Sequence, residues 1–253
     1  MKTAIYTVVL NEQDYLEDWI EWHLNLGFTK IFIFQDIGSQ SHKEICDRYP
    51  NVVLKPILDL FDDEEKPLVI KMKEEGKYRQ SMYAKRGIMW IKNNNPDIDW
   101  LFSLDADEYI CPERAFPSLL SAYNDLDGIL IRWHNFNAAG RLKKPIYDKP
   151  IWEIYTQRCG YLKSDEKTKH YTKVAYNMKR VKEKLVWGCH TIPSRNTATV
   201  DDIHINHYFT KSWEEWCNKL HKRGMFCKYR KDEDFFELNP DLRDIVNNMQ
   251  NCI

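Results

Sequence analysis

The chain lacks the features that mark several specialised classes of protein. No apolar run approaches the roughly 20 residues of a membrane-spanning helix, so we expect no transmembrane segment. The formal net charge is −1, whereas a nucleic-acid-binding protein usually has a basic face, so we expect no nucleic-acid partner. The seven cysteines form no C-x-x-C pair, which argues against a structural zinc site and for reduced thiols in a cytosolic compartment.

We expect no signal peptide, because Met1 and Lys2 run directly into a predicted strand. Internal repeats and low-complexity tracts are absent as well. These absences favour a cytoplasmic protein. Peripheral association with the inner face of a membrane stays open.

The chain does contain enough apolar material for one large domain, since 43% of its 253 residues are hydrophobic. Its nine tryptophans and fourteen tyrosines exceed what a core requires, and we expect some of them to line a binding cleft.

An apolar run that ends in acid is the most informative stretch of the sequence. Trp100, Leu101, Phe102 and Leu104 have the length and aromatic content of a buried strand, and Asp105, Asp107 and Glu108 follow at once. In extended chain, Asp105 and Asp107 would point to the same side and could share one hard cation, Mg²⁺ or Mn²⁺. The alternative is that these acids only cap the following turn.

The N-terminal part predicts a βαβ unit. Residues 2–10 form an apolar strand, residues 16–24 an amphipathic helix that ends near Gly27, and residues 28–34 a second strand. The strands end at Asn11 and Glu12 and at Asp36, so these side chains should meet at one edge of a parallel sheet, where α/β proteins bind ligands.

The later segments predict further elements of the same sheet. Residues 59–77 are charged and are expected to form a mobile surface loop, with a functional lid as the alternative. Helices are predicted for residues 78–90 and 116–123, and a capping box at residues 212–215 opens a helix that runs to Arg223. Further strands are predicted at residues 52–56, 128–133, 173–181, 184–187 and 202–208.

These elements predict one α/β domain over residues 1–224, with a mixed, mainly parallel sheet and helices on both faces. Residues 225–253 are expected to form a short helical tail.

Taken in order, the motifs resemble a glycosyltransferase of the GT-A (Rossmann-like) fold, most closely family 92, a relative of family 2. The resemblance spans residues 3–224. Its motifs are Asn11-Glu12, Tyr15-Leu16, Trp19-Ile20, His23, Leu26-Gly27-Phe28, Asp36, Asp105 to Tyr109, Trp133 to Gly140, Asn206-His207-Tyr208, Lys211-Ser212, Glu214-Glu215, Lys219 and Arg223-Gly224. The chain departs from the family at two places. No acidic residue follows Ser39, where the family usually has one. In the Trp133 to Gly140 stretch, which resembles the family's acceptor segment, Asn137-Ala138-Ala139 stands where family members often carry glycine and serine.

The resemblance implies metal-dependent transfer of a hexose from a nucleotide-sugar donor, expected to be UDP-linked, to a saccharide or lipid-linked saccharide. Asp105 would lie near the ribose and the metal, and Asp107 would bind the metal directly. His207 would complete the metal site, with His204, predicted on the opposite face of its strand, as the alternative.

The remaining assignments concern the nucleotide-binding residues and the general base that would remove the proton of the acceptor hydroxyl. Asn11 and Glu12 are expected beside the base and ribose, and Asp36 would accept from the uracil N–H. Lys211, before the Ser212 helix, would meet the diphosphate. Arg79 and Gln80 are candidates for base or phosphate contacts. For the general base we favour His190, with His134, Asp148 and Glu153 left open.

Two other functions compete with this interpretation. A nucleotidyltransferase would also use paired aspartates and metal, but it would normally carry a Gly-rich, lysine-bearing phosphate loop near its N-terminus, which this sequence lacks. A non-catalytic carbohydrate-binding or scaffold protein could keep the same fold without turnover.

Overall fold

The computed structural model describes residues 1–77, 80–164, 171–222 and 230–250. Its sheet has the strand order β3-β2-β1-β4-β7-β6-β8-β5. The strands are β1 (Thr3–Val9), β2 (Lys30–Gln35), β3 (Val52–Pro56), β4 (Trp100–Ser103), β5 (Glu108–Pro112), β6 (Gly128–Asn135), β7 (Thr172–Asn177) and β8 (Thr197–His207). The helices are α1 (Leu16–Asn25), α2 (Lys43–Cys46), α3 (Lys66–Glu74), α4 (Gln80–Asn94), α5 (Phe116–Ser121), α6 (Ile151–Ile154), α7 (Trp213–Lys222), α8 (Asp232–Leu238) and α9 (Arg243–Gln250).

The sheet is mixed, and this confirms the predicted α/β class. Strand β1 pairs in parallel with both β2 and β4, and β2 pairs in parallel with β3. Strand β7 is antiparallel to β4 and to β6. Because β2, β1 and β4 run in one direction, the turns that follow them leave the sheet at the same edge. The predicted βαβ unit is therefore present.

Helices cover both faces of the sheet, as predicted. Adjacent residues of a strand point to opposite faces. Leu101 belongs to the apolar cluster that contains Tyr83, Ala84 and Ile88 of α4, whereas the ring of Phe102 lies 5.5 Å from that of Phe116 in α5. Helix α4 lies so close to the sheet that a Cβ at Gly87 would come within 2.3 Å of the Tyr6 ring. Glycine is therefore required there.

The contact pattern divides the chain into two compact units. The first comprises Met1–Trp133 and Tyr171–Ile205, and the second comprises His134–His170 and Asn206–Ile253. The core of the second unit is aromatic and aliphatic, with α7 and α8 contributing Trp216, Phe235 and Phe236. The predicted boundary at residue 224 falls between the described segments and stays a prediction.

Several local predictions were wrong. The charged segment 59–77 contains helix α3, because Val69 is buried in the core while the lysines of the helix stay at the surface. Residues 184–187 form no strand; Glu183–Leu185 is a 3₁₀ turn. By contrast, the predicted helical tail is confirmed, because the described part of it contains α8, which buries Phe235 and Phe236, and α9. No helix in the described segments combines the length and the apolarity that a membrane crossing requires.

His23, one of the family motif residues, has a structural role. It is fully buried; its Nδ1 lies 2.7 Å from the carbonyl oxygen of Trp19, and its Nε2 lies 3.3 Å from the amide nitrogen of Ile110. The amide can only donate, so Nε2 accepts and Nδ1 carries the proton. Burial lowers the pKa of His23 to about 3, which keeps the ring neutral.

Candidate functional site

The acidic residues after β4 lie in a tight turn. Strand β4 ends at Ser103 and β5 begins at Glu108, whose amide donates to the carbonyl oxygen of Asp105 at 3.1 Å. The prediction that Asp105 and Asp107 share a side because the chain is extended was therefore wrong, since the turn replaces the extended segment. Their carboxylates are nonetheless close enough for Asp107 to perturb the pKa of Asp105.

A buried lysine supports this turn from β7. The register between the antiparallel strands places Ala175 opposite Phe102, so Lys173 comes level with the turn after β4. Its ammonium lies 2.7 Å from Asp105 Oδ2 and 3.5 Å from Glu108 Oε2. The side chains of Lys173 and Glu108 are 0% exposed, whereas that of Asp105 is 44% exposed. A buried cation thus fixes a carboxylate that water can reach.

The charges of this cluster are strongly coupled. Withdrawal from water would raise the pKa of Asp105, but the Lys173 ammonium outweighs it and holds that pKa below its ordinary value. Burial would lower the pKa of Lys173, yet Asp105 and its neighbours hold it well above the usual range. For Glu108, burial dominates and raises the pKa well above its ordinary value. Asp105 and Lys173 therefore form an ion pair.

His190 belongs to the same cluster. It is the last of the groups that perturb the pKa of Asp105, and it acts to lower that pKa. Its Nδ1 lies 2.9 Å from the carbonyl oxygen of Thr172, so Nδ1 carries the proton and Nε2 holds the lone pair in the neutral ring. The ring packs edge-on against Trp133, whose face lies 6.0 Å from the Lys173 ammonium. Thr172 and Lys173, adjacent in β7, thus contact His190 and Asp105, two of the predicted catalytic residues, and Asp107 lies in the same turn as Asp105.

A second carboxylate site follows β2. Asp36 is only 9% exposed, and its carboxylate accepts from Lys73 Nζ at 2.9 Å, the Tyr83 hydroxyl at 3.2 Å and the Ile37 amide at 2.8 Å. Lys73 lies on α3 and Tyr83 on α4. Beside Asp36 is a cavity of about 220 Å³. It is lined by Gln35, Asp36, Ile37, Gly38, Ser39, Pro56, Ile57 and Leu58.

Asn11 and Glu12 tie the turn after β1 to the segment after β2. Asn11 has a left-handed backbone (φ 59°); its amide donates to Ser39 Oγ at 3.0 Å, and its Oδ1 accepts from the Gln40 amide at 2.8 Å. The Glu12 amide donates to His42 Nε2 at 3.2 Å. Burial lowers the pKa of His42, so its Nε2 stays an acceptor. These contacts hold the two turns together at the sheet edge.

Two predicted residues lie in the second unit. His207 is buried, its Nδ1 lies 3.1 Å from Asn135 Oδ1, and its ring packs against Phe209. The alternation along β8 is as predicted, with His204 and His207 on opposite faces. Lys211 is also buried and has a left-handed backbone (φ 53°), a strained conformation for a residue other than glycine.

The predicted capping box after Lys211 is present. Glu215 Oε2 accepts from the Ser212 amide at 3.2 Å, and Ser212 Oγ accepts from the Glu215 amide at 3.3 Å. The Glu215 carboxylate also accepts from the hydroxyls of Tyr147 and Tyr155 at 2.5 and 2.6 Å. Burial would raise the pKa of Glu215, but the Lys211 ammonium and these donors lower it. Lys211 and Glu215 are thus charged neighbours.

The acidic turn suits a cation that arrives with a phosphate ligand. Within residues 1–77, 80–164, 171–222 and 230–250, no group of three or more His, Cys, Asp and Glu side chains is arranged to hold a metal ion. Magnesium-type sites commonly use only one or two carboxylates, with water and substrate phosphates completing the shell. Asp105 and Asp107 fit that pattern. The assignment of His207 as a further ligand stays a prediction.

The sequence interpretation missed several residues that the structure places at these sites. Lys173 is preceded by Thr172 and followed by Val174 and Ala175, and a lysine within a strand of this kind was a usable signal. Lys73 carried no such signal, because it is one of several lysines in a charged segment.

Gln80 is the first residue of α4, and Arg79 lies outside the described residues.

No protein-family model matches the chain, and no curated protein sequence matches it. Its structure is similar to that of S. aureus TarS 1–349 in complex with UDP-GlcNAc, with a TM-score of 0.51 and 14% identity. The similarity covers 94% of this chain and 64% of the TarS chain, so this chain spans less than two thirds of that structure. This likeness shows the fold. The fold is GT-A-like, as the resemblance implied, while membership of family 92 stays a prediction.

Two weaker structural similarities carry no weight for the function of this chain. One is to glucosyl-3-phosphoglycerate synthase from Mycobacterium tuberculosis, with a TM-score of 0.34, 14% identity and coverage of 55% of this chain and 44% of that one. The other is to 4-diphosphocytidyl-2C-methyl-D-erythritol synthase from Anaerococcus prevotii, with a TM-score of 0.43, 10% identity and coverage of 90% and 96%.

Proposed function

We propose that this protein is a glycosyltransferase that moves a hexose from a UDP-linked donor to a saccharide or lipid-linked saccharide, with a divalent cation, Mn²⁺ or Mg²⁺. The observation that carries the proposal is the pair of carboxylate sites at one edge of the sheet, Asp36 after β2 and the Asp105–Asp107 turn after β4.

The spacing of these two sites suits a nucleoside diphosphate. Strands β2 and β4 flank β1, and two strand spacings amount to about 10 Å. A pyrimidine beside Asp36 would use the cavity of about 220 Å³, with its imide N–H donating to the carboxylate. The diphosphate would then reach toward the acidic turn. The carboxylate of Asp36 accepts from Lys73, Tyr83 and the Ile37 amide, and the imide N–H would take the place of one of its donors.

The acidic turn would serve the leaving group. Breaking the glycosidic bond places additional negative charge on the diphosphate, and stabilisation of such developing charge commonly contributes more to the rate than any other effect. A divalent cation held by Asp105 and Asp107 would supply positive charge there. Lys173 keeps Asp105 ionised and fixed in place.

His190 is the group that we propose as general base. Transfer with inversion requires removal of the proton from the acceptor hydroxyl. The hydrogen bond from Nδ1 to the Thr172 carbonyl oxygen fixes the tautomer, so Nε2 is the nitrogen that can take this proton.

The crystal structure with a similar fold supports the choice of donor class, because TarS 1–349 was solved with UDP-GlcNAc bound. The acceptor class rests on the family resemblance. His207 and Lys211 belong to the second unit, and their proposed roles as metal ligand and diphosphate contact need substitution experiments.

The test is hydrolysis of UDP-glucose, UDP-galactose and UDP-GlcNAc with Mn²⁺, followed by excess EDTA. We expect slow, metal-dependent release of UDP from at least one donor, and a raised melting temperature with UDP plus Mn²⁺ because a ligand of the native state stabilises it. Asp47→Asn is a suitable control, since Asp47 is an exposed carboxylate paired with Lys43 on α2. The proposal fails if no donor is hydrolysed and UDP plus Mn²⁺ leaves the melting temperature unchanged.

A further inference from the structure

The buried position of Lys173 has a consequence for how a cation can bind. A fully buried lysine is uncommon and is normally paired. Here the ammonium lies 2.7 Å from Asp105 and 3.5 Å from Glu108, with the face of Trp133 6.0 Å away. Because the lysine is 0% exposed, the positive charge stays in the protein beside the Asp105 carboxylate.

This permanent cation reduces the negative charge that the turn offers to a metal. Divalent-cation affinity depends on the number of charged ligands. Lys173 offsets the charge of Asp105, and its ammonium also lies 3.5 Å from the buried carboxyl group of Glu108. The positive charge of Lys173 therefore reduces the net negative charge that Asp105 and Asp107 offer to a cation.

We propose that Lys173 makes cation binding at the Asp105–Asp107 turn depend on a nucleotide. The free protein binds Mn²⁺ weakly, because the lysine repels the cation and occupies one oxygen of Asp105. A nucleoside diphosphate supplies the negative charge that Lys173 removes, so Mn²⁺ enters together with it. This inference rests on the proposed function for the identity of the nucleotide, and Lys173 acts in it through Asp105 as a positioning residue.

A purely structural role for Lys173 predicts a different result. If the lysine served only to neutralise the buried Glu108, its removal would lower stability and leave the affinity for Mn²⁺ unchanged. The affinity for Mn²⁺ in the absence of nucleotide is therefore the deciding measurement.

The experiment is calorimetric titration of Mn²⁺ into wild-type protein, Lys173→Met and Lys92→Met, each with and without UDP. Lys92 is a matched control, because it is a half-buried lysine of the same unit whose ammonium donates to the carbonyl oxygens of Met178 and Val181. Both variants lose one positive charge. We expect Lys173→Met to bind Mn²⁺ alone at least about tenfold more tightly than wild type, and Lys92→Met to match wild type.

The effect of UDP gives a second expectation. UDP should strengthen Mn²⁺ binding in the wild type by a larger factor than in Lys173→Met. Equal Mn²⁺ affinities of wild type and Lys173→Met without UDP would overturn the inference. If wild type shows no response to UDP plus Mn²⁺, the proposed function fails, whereas the titrations with Mn²⁺ alone still decide the role of Lys173.

A second pair of variants covers the case in which Lys173→Met does not fold. Glu108→Gln combined with Lys173→Met removes both partners of the buried contact, which is less costly than leaving one charge behind. We expect this double variant to bind Mn²⁺ at least about tenfold more tightly than Glu108→Gln alone. No gain over the single variant would overturn the inference.

Discussion

Two aspartate–lysine pairs at one edge of the sheet have opposite arrangements. In the pair after β2, the carboxylate of Asp36 is buried and the lysine comes from the surface helix α3, with side-chain exposures of 10% and 24%. In the pair after β4, Lys173 is fully buried and Asp105 is 44% exposed. The same kind of ion pair thus contains a buried carboxylate in the site after β2 and holds a solvent-accessible carboxylate in the site after β4.

The difference indicates how each site can change when a ligand binds. Lys73 can leave Asp36 at lower cost, because its partly exposed ammonium can move to water while Asp36 keeps the Tyr83 hydroxyl and the Ile37 amide as donors. Lys173 cannot leave Asp105 without placing an unpaired charge in the interior. We therefore expect the Asp36 site to rearrange on binding and the Asp105 site to remain fixed.

The largest expected effect is on stability, and it separates the two lysines. Lys173→Met should lower the free energy of unfolding by about 3–5 kcal/mol, because it leaves the buried carboxyl group of Glu108, and Asp105 beside it, without their cation. Lys73→Met should cost less, about 1–3 kcal/mol, because the buried Asp36 carboxylate keeps the Tyr83 hydroxyl and the Ile37 amide as donors. Urea unfolding of both variants checks this. Similar losses of unfolding free energy in the two variants would mean that the burial of the lysine does not set the cost of removing it.

The next effect is on catalysis. Asp107→Asn should reduce donor hydrolysis by about a hundredfold or more while the protein stays folded, because a neutral amide is a poorer ligand for a hard cation. The measurement is initial rate at saturating Mn²⁺, with melting curves as the control for folding. Normal turnover by Asp107→Asn, or turnover by wild type in excess EDTA, would contradict the cation site.

A smaller effect is expected on nucleotide affinity. Asp36→Asn should weaken UDP binding by about 1.5–3 kcal/mol, the range for a hydrogen bond to a charged group. The variant should also lose some stability, because Asp36 accepts from Lys73 and Tyr83 in the free protein. Calorimetry with UDP measures the affinity. An unchanged affinity would show that the turn after β2 does not contact the nucleotide.

His207 tests whether a histidine contributes to the acidic site. We expect His207→Ala to need severalfold more Mn²⁺ for half-maximal rate, and His204→Ala to need the same concentration as wild type, because the two side chains point to opposite faces of β8. The measurement is the initial rate across a series of Mn²⁺ concentrations. A higher Mn²⁺ requirement in His204→Ala alone would assign the ligand role to His204 instead of His207.

The smallest effect is expected for Lys73→Met with UDP. Removing a donor that competes for Asp36 should strengthen UDP binding by about two- to threefold, as measured by calorimetry. Weaker binding would instead mean that Lys73 contacts the nucleotide and is part of its site.

Several elements of both units could be predicted from the sequence, because local patterns decide them. The run from Trp100 to Leu104 has the length and aromatic content of a buried strand, the apolar spacing from Leu16 to His23 predicted α1, and Ser212 with Glu215 predicted the start of α7. Each signal lies within a few residues of the element that it specifies. The carboxylates at the strand ends followed from the same patterns.

The partners of those carboxylates were decided by the tertiary structure. Lys173 is 68 residues from Asp105 and Lys73 is 37 residues from Asp36, so no local pattern joins either pair. The register of β7 against β4 brings the first pair together, and the packing of Val69 in the core brings α3 over Asp36. Sequence determined which carboxylates stand at the edge of the sheet. Strand register and helix packing determined which charges they meet, because electrostatic interactions depend on distance in space and not along the chain.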